Sequence, residues 1–262
     1  MTSTLLDWLR TTIDDWQPSI VGVFRERAEH SWPISADSPE ELRKLLMDTG
    51  HLLPLPTEPA SLANVMELEL RETLVDAIAP IDGAEVTQGT ERSYPDLEFH
   101  GEYFGGGWRA VDIKCARRKK TSKGIQSTSG LQSRIALYTG NTYFLWPQLK
   151  FSGALRPFGD YEELLSIVVI YDFLKESPER IGDVEVVVHE TWRLASKARA
   201  SATREYIGSV RKLDELRSGS GEFPTAEEFY SYWRASPRTW KKSPEAEKLL
   251  RQKLEATSND GS

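Results

Sequence analysis

At 262 residues, with 39% hydrophobic and 28% charged side chains, the chain has an ordinary globular composition. It is long enough for one sizeable α/β domain and long for two independent ones. No apolar run approaches a membrane span, and Met1-Thr2-Ser3-Thr4 lacks the basic-then-apolar order of a signal peptide; one cysteine, Cys115, rules out an internal disulfide and fits a reducing cytoplasm.

Leu5, Leu6, Leu9, Ile13 and Trp16 recur at helical spacing and predict an amphipathic helix over roughly Thr4–Trp16. Ile20–Phe24 reads as a strand. Ser38-Pro39-Glu40-Glu41 is a helix start with an N-cap serine, and Gly50 can end that helix. His51–Ala60, with three prolines, reads as a loop, followed by a long helix from about Ser61 to Ala79 carrying Met66, Leu70, Leu74 and Glu67. Strands are expected near Glu85–Thr87, Leu97–Tyr103 and Trp108–Cys115, with Gly105-Gly106-Gly107 as a turn. A Ser/Thr/Gly/Lys-rich stretch, Thr121–Gly130, leads to a short helix and a strand at Tyr143–Trp146.

Leu164–Phe173 fits a central buried strand or a buried helix, with Glu162-Glu163 leaning toward the helix. Asp183–Trp192, rich in β-branched residues, is a strand, and a polar segment then runs to Gly208. Thr225-Ala226-Glu227-Glu228 is a capping box opening a helix with Phe229, Tyr232 and Trp233, and a last helix begins at Ser243-Pro244. These elements alternate without strict βαβ order, which predicts an α/β core with a mixed central sheet.

The net charge of −7 argues at first against nucleic acid as a partner, but its distribution argues back. The first 100 residues carry 7 Lys+Arg against 19 Asp+Glu, so the remainder is net positive, with its bases clustered at Arg117-Arg118-Lys119-Lys120 and at Arg193, Lys197, Arg199 and Arg204. A face bearing these clusters suits a phosphate backbone; a solvated charged loop is the alternative for each. Near the first cluster lie Tyr94-Pro95-Asp96 and Val111-Asp112-Ile113-Lys114, the wording of the PD…(D/E)xK pattern of metal-dependent nucleases. A hairpin bend at Gly105–Gly107 brings Asp96 toward Asp112. The i, i+2 spacing of Asp112 and Lys114 points both to one side of the strand, with Val111 and Ile113 on the other. Two carboxylates and an ammonium around one phosphate are the minimum set for holding Mg²⁺ against a phosphodiester and activating water. The four histidines, His30, His51, His100 and His189, show no zinc spacing, and the glycine run lacks the GK[ST] of a phosphate loop.

Further strings widen the pattern. Glu67-Leu68, Trp32-Pro33, Ser35–Ser38, Arg156-Pro157-Phe158, Trp192, Ile207-Gly208-Ser209, Glu228-Phe229 and Tyr232-Trp233-Arg234 stand in order around the two motifs. With them, nearly the whole chain resembles the EcoRV-type restriction endonucleases of the PD-(D/E)xK superfamily, with insertions around Glu40–Ser61 and Gln148–Leu155. The resemblance implies a restriction-endonuclease-like α/β core, a central mixed sheet flanked by helices. It implies a single nuclease domain over residues 1–257, whose N-terminal part also dimerises, and a disordered tail at 258–262. It implies Asp96 and Asp112 as Mg²⁺ ligands with the Ile113 carbonyl as a further one, Lys114 as the residue orienting water and offsetting phosphate charge, and Glu67 as an auxiliary acid near a second metal position. A solvent-facing helix residue is the alternative for Glu67.

The same resemblance makes residues 193–209 the DNA-recognition loop. Ala200-Ser201-Ala202-Thr203-Arg204 would lie in the major groove and Glu91-Arg92-Ser93 at the minor groove. Arg204 suits the O6/N7 edge of guanine, although Arg199 and Arg204 as phosphate contacts are an equal alternative. Arg117, Arg118 and Lys119 are expected DNA contacts. The expected activity is that of a type II site-specific deoxyribonuclease: a cytoplasmic homodimer, without membrane association, cutting double-stranded DNA at a short palindrome and leaving blunt ends, paired functionally with a cognate DNA methyltransferase. A repair or nicking endonuclease of the same superfamily, or a non-catalytic DNA-binding protein on a decayed nuclease fold, are the alternatives.

Overall fold

The computed structural model describes residues 4–18, 37–38, 40–41, 44, 59–90, 93–120, 126–175, 180–236, 248 and 252. The first helix, α1, spans Leu5–Thr12, shorter than its apolar spacing predicts; Thr4 caps it by accepting from the Asp7 N–H at 3.2 Å, and Leu5 and Leu9 are buried. At Ser38 the predicted cap is present: the Glu41 N–H donates to Ser38 Oγ at 3.1 Å, and Glu41 Oε2 accepts from the Asp37 N–H. The long helix α2, Pro59–Ile78, buries Leu62, Met66, Leu70, Leu74 and Ile78, a stripe at i, i+4 that faces the sheet.

Nine strands follow among the described residues: β1 (Glu85–Gln88), β2 (Leu97–His100), β3 (Trp108–Lys120), β4 (Gln126–Leu131), β5 (Ala136–Tyr138), β6 (Tyr161–Leu174), β7 (Arg180–Glu190), β8 (Ala195–Arg199) and β9 (Ile207–Ser209). The main sheet has the order β1-β2-β3-β6-β7, with β4 on the far end of β3; only the β3–β6 pairing is parallel, so the sheet is mixed. A separate antiparallel sheet runs β5-β9-β8. Three short α-helices, α3 (Thr142–Leu145), α4 (Leu213–Ser218) and α5 (Ala226–Ala235), follow, with turns of 3-10 helix at Glu102–Phe104, Phe158–Asp160 and Thr191–Leu194.

Alternation along the two central strands divides the interior. Val111, Ile113, Leu165, Ile167 and Val169 join a core with α1 and α2. Ala116, Val168 and Ile170 join a second core with Phe144, Leu194, Ile207, Phe229 and Trp233. Asp112 and Lys114, by parity, share the second face, so they point toward the smaller sheet.

Several sequence expectations change here. Leu164–Phe173 lies within strand β6, because β3 and β7 pair with it on both edges and both its faces are covered. Tyr143–Trp146, expected as a strand after a short helix, reverses that order: the strand is β5 and Thr142–Leu145 is helical. Aromatic density made the segment look extended, but Asn141 O accepts from the Phe144 and Leu145 N–H groups and Phe144 is buried against α5. The polar stretch near Thr121–Gly130 yields β4, held by pairing with β3. The polar segment up to Gly208 contains β8 and β9. The strand expected over Leu97–Tyr103 breaks at Gly101, whose φ of 113° opens a turn of 3-10 helix. The loop expected over His51–Ala60 gives way at Pro59 and Ala60 to the first turn of α2, its other residues lying outside the described ones, as do the strand predicted at Ile20–Phe24, the helix end at Gly50, the helix start at Ser243-Pro244 and the C-terminal tail.

Candidate active site

A cleft of about 760 Å³ opens between the two sheets, lined by Ser93, Tyr94, Asp96, Asp112, Lys114, Ala136, Leu137, Tyr138, Thr139, Tyr143, Arg204 and Tyr206. Its floor is aromatic: the Tyr94 ring stacks on Tyr143 at 5.5 Å and on Phe158 at 6.0 Å, and meets Tyr138 at 6.0 Å. Burial raises the Tyr94 and Tyr138 phenols well above their ordinary range, so both stay protonated.

The β2–β3 hairpin delivers the charged groups. Leu97 pairs with Val111 across it, and the bend uses Gly105, Gly106 and Gly107, all at positive φ. Asp96 Oδ2 accepts the Ile113 N–H at 2.6 Å, tying the carboxylate to the strand that carries the other two groups. Lys114 Nζ lies 2.6 Å from Asp112 Oδ2, 3.9 Å from Asp96 Oδ2 and 3.3 Å from the Ile113 carbonyl. The three oxygen donors named from the sequence therefore gather around one positive charge.

The electrostatics follow from this packing. Burial pushes the Asp112 carboxyl up to about 7, against the pull of Lys114 and with the push of Asp96. Burial opposes the charge on Lys114, yet Asp112 and Asp96 outweigh it and hold the amine above its ordinary value. Lys114 is thus a fixed ammonium that donates and stabilises negative charge. Among the described residues no three His, Cys, Asp or Glu side chains group as a ready-made metal cage. Mg²⁺ does not need one: it binds through one or two carboxylates and keeps waters and phosphate oxygens in its remaining positions. Two carboxylates and a carbonyl already converging on a cation fit that requirement.

The other expected residues divide. Glu67, on α2, is held by Arg71 at 3.2 Å; burial and then Asp96 raise its pKa while Lys114 lowers it, so it stands beside the carboxylate pair and not among the cleft-lining groups. Arg204 and Tyr206 line the cleft, with Arg204 Nη1 donating to the Tyr206 hydroxyl at 2.7 Å. Ala200, Ser201, Ala202 and Thr203 form the tip between β8 and β9, where Ser201 Oγ accepts from the Thr203 and Arg204 N–H groups at 3.2 Å. Arg199 pairs with Glu205 at 3.0 Å across that hairpin. Ser93 borders the cleft; Glu91 and Arg92 lie outside the described residues.

The basic run at the end of β3 is not one surface. Arg118 is 5% exposed and bound by Asp172, Asp183 and Glu185 from β6 and β7, which corrects its expected place on a DNA-facing surface. Burying a guanidinium requires such partners, and they occupy it fully. Arg117, by strand parity, faces away from Asp112, while Lys119 is exposed. Cys115 is a core thiol: burial pushes it up to about 12, and Sγ donates to the Ala63 carbonyl. His100 packs on Trp108 at 4.1 Å, outside the cleft.

Sequence reading missed Tyr138 and the salt bridge of Glu98 with Arg156, and it named Tyr94 and Tyr143 without their place in the floor. Glu98 carried a usable signal: it stands two residues after Asp96, and its partner across the hairpin, Ala110, is two residues before Asp112 on the same face.

Two comparisons bear on this site. The sequence model described as "Restriction endonuclease EcoRV" matches residues 28–256. The type II restriction enzyme EcoRV of Escherichia coli is 25% identical over 207 residues, covering 72% of this chain and 80% of the relative. No helix among the described residues is long and apolar enough to cross a membrane.

Proposed function

The chain belongs to the EcoRV restriction endonuclease family, and from that premise we propose that it hydrolyses phosphodiester bonds in double-stranded DNA at a short palindromic site, with Mg²⁺, as a homodimer. The observation that carries this reading is the convergence of Asp96, Asp112 and the Ile113 carbonyl on Lys114 Nζ in one cleft. Asp96, Asp112 and Ile113 would hold the metal, with Glu67 near a second position. When bound, Mg²⁺ would neutralise phosphate charge and make a bound water more acidic.

The chain's own groups account for the rest. Lys114, kept as an ammonium by its two carboxylates, donates to the phosphate oxygen on which charge grows as water attacks phosphorus and one P–O ester bond breaks. The aromatic floor restricts bulk water beneath the reacting phosphate and strengthens each electrostatic contact above it. Arg204, steadied by Tyr206 on the cleft wall, contacts DNA close to the chemistry, at a guanine edge or a phosphate. The tip residues Ala200–Thr203, with Glu91, Arg92 and Ser93, read the grooves, while Arg199 and the exposed Lys119 add phosphate contacts; Arg117, turned away from Asp112, stands outside this set. Blunt ends, a partner methyltransferase and a cytoplasmic setting complete the proposal as a restriction–modification enzyme.

The test is Asp112→Ala. Mg²⁺-dependent cleavage of plasmid DNA should fall by about a hundredfold to a thousandfold while circular dichroism stays unchanged. Full activity in that variant would remove the mechanism.

A further inference from the structure

We propose that Arg156 is a positioning residue for Asp96: its ion pair with Glu98 fastens the 153–156 segment beside the residues that carry Asp96, and so sets where that carboxylate meets a divalent cation. The proposal rests on the reading of Asp96 as a metal ligand. Asp96 sits between two anchors. On its N-terminal side the Tyr94 N–H donates to the Gly153 carbonyl at 2.8 Å and the Tyr94 carbonyl accepts from the Leu155 N–H at 3.0 Å, so residues 153–155 run alongside Tyr94 as a parallel bridge. On its C-terminal side Glu98, only 2% exposed, receives two hydrogen bonds from Arg156: Nε to Oε2 at 2.5 Å and Nη2 to Oε1 at 2.7 Å.

The Arg156 end is itself immobilised. Its guanidinium lies over the Trp108 ring at 3.3 Å from the centroid, and the Tyr161 hydroxyl donates to Glu98 Oε2 at 2.9 Å. Trp108 and Tyr161 begin the two central strands and are paired with each other, so the clamp is referenced to the paired ends of both strands. A two-pronged guanidinium–carboxylate pair fixes plane as well as distance. A buried ion pair of this kind adds little net stability over an apolar packing of equal volume, and geometry is what it supplies in exchange. The geometry here concerns the stretch from Tyr94 to Glu98, which is also held by the Gly89 N–H on the Asp96 carbonyl at 2.8 Å, by the pairing of Leu97 and Glu98 with β1 and β3, and by the Ile113 N–H on the Asp96 carboxylate. Arg156 does not line the cleft; it acts through Glu98 and the backbone of residues 94–98.

The experiment uses the full 262-residue chain carrying Arg156→Ala, Arg156→Lys or Glu98→Gln, with Mn²⁺ alone as the probe, bound ion being read by loss of the free-ion electron paramagnetic resonance signal well below each variant's melting temperature. Arg156→Ala should weaken Mn²⁺ binding about tenfold or more, the range expected when a group that orients a ligand is lost, and Arg156→Lys should recover part of that loss. If Arg156→Ala fails to fold, Arg156→Lys and Glu98→Gln, which keep volume and hydrogen-bonding capacity, carry the same comparison. Lower melting temperatures with Mn²⁺ affinity unchanged would make Arg156 a packing residue and overturn the assignment, as would absence of Mn²⁺ binding by the unaltered chain. Plasmid cleavage read in parallel separates the two proposals. Weakened Mn²⁺ binding in the variants of a chain that cuts no DNA supports the positioning role and sinks the nuclease reading; cleavage with equal Mn²⁺ affinity throughout does the reverse.

Discussion

Asp112 holds its proton far more tightly than an unfolded aspartate does, because its carboxyl is buried. The ordinary value is 3.8 and the folded one about 7, so between these limits the folded state binds the extra proton. The stabilising contribution of this group is complete below 3.8 and is lost as pH rises through about 7. In metal-free buffer the unaltered chain should lose stability relative to Asp112→Asn as pH is raised from about 4 to about 8, measured by chemical denaturation. Parallel curves would show that burial does not control this carboxyl. The same residue was legible in the sequence through its spacing with Lys114, and the reason is local: two side chains two positions apart on a strand must share a side. Arg118 was misread for the complementary reason. Its run of basic neighbours is local, whereas the carboxylates that bury it come from β6 and β7, more than fifty residues away.

Among elements, the β8–β9 hairpin depends on one close approach. A Cβ at Gly208 would lie 2.6 Å from the Ala198 carbonyl oxygen and 2.8 Å from the Ala200 nitrogen, so Gly208→Ala should push the strands apart at a loss of about 1–3 kcal/mol, measured by denaturation. Cleavage by that variant should lose sequence discrimination, seen as extra fragments on a mapped plasmid. The docking of α1 on β7 has a different sensitivity. Arg10 donates to the Val188 carbonyl at 3.1 and 3.0 Å and faces His189 Nδ1 at 3.2 Å, while His189 Nε2 meets the Arg217 carbonyl at 3.0 Å. The carbonyl requires a proton on Nε2, leaving Nδ1 as the acceptor for Arg10. Burial lowers the His189 pKa from 6.5, and Arg10 and Arg193 lower it further. A depressed folded value gives stability that is full above pH 6.5 and declines as pH falls through the folded value. Replacing His189 with Gln should flatten the part of the acid-side loss of melting temperature that this group contributes. Elements with strong periodicity, α2 and α5 above all, were readable in advance because their buried stripes recur every turn. The segments Thr142–Leu145 and Gln126–Leu131 were not, since packing under α5 and pairing with β3 decide them.

For the whole molecule, the palindromic site proposed above has a two-fold axis, which is matched most simply by two identical chains related by the same symmetry. Sedimentation should find a dimer both free and on DNA; a monomer in both conditions would remove the palindromic reading. The two sheets give the molecule a second kind of consequence. Asp96, Asp112 and Lys114 belong to the hairpin of the main sheet, whereas Arg204 and Tyr206 hang from the smaller one, and the two sheets are separately hydrogen-bonded. Substitutions at the tip between β8 and β9 therefore leave the strand pairing that places Asp112 and Lys114 intact. On the roles proposed above, a lineage built this way can drift from one target sequence to another while the residues assigned to cutting are inherited unchanged, which makes the gap between the sheets a source of evolvability.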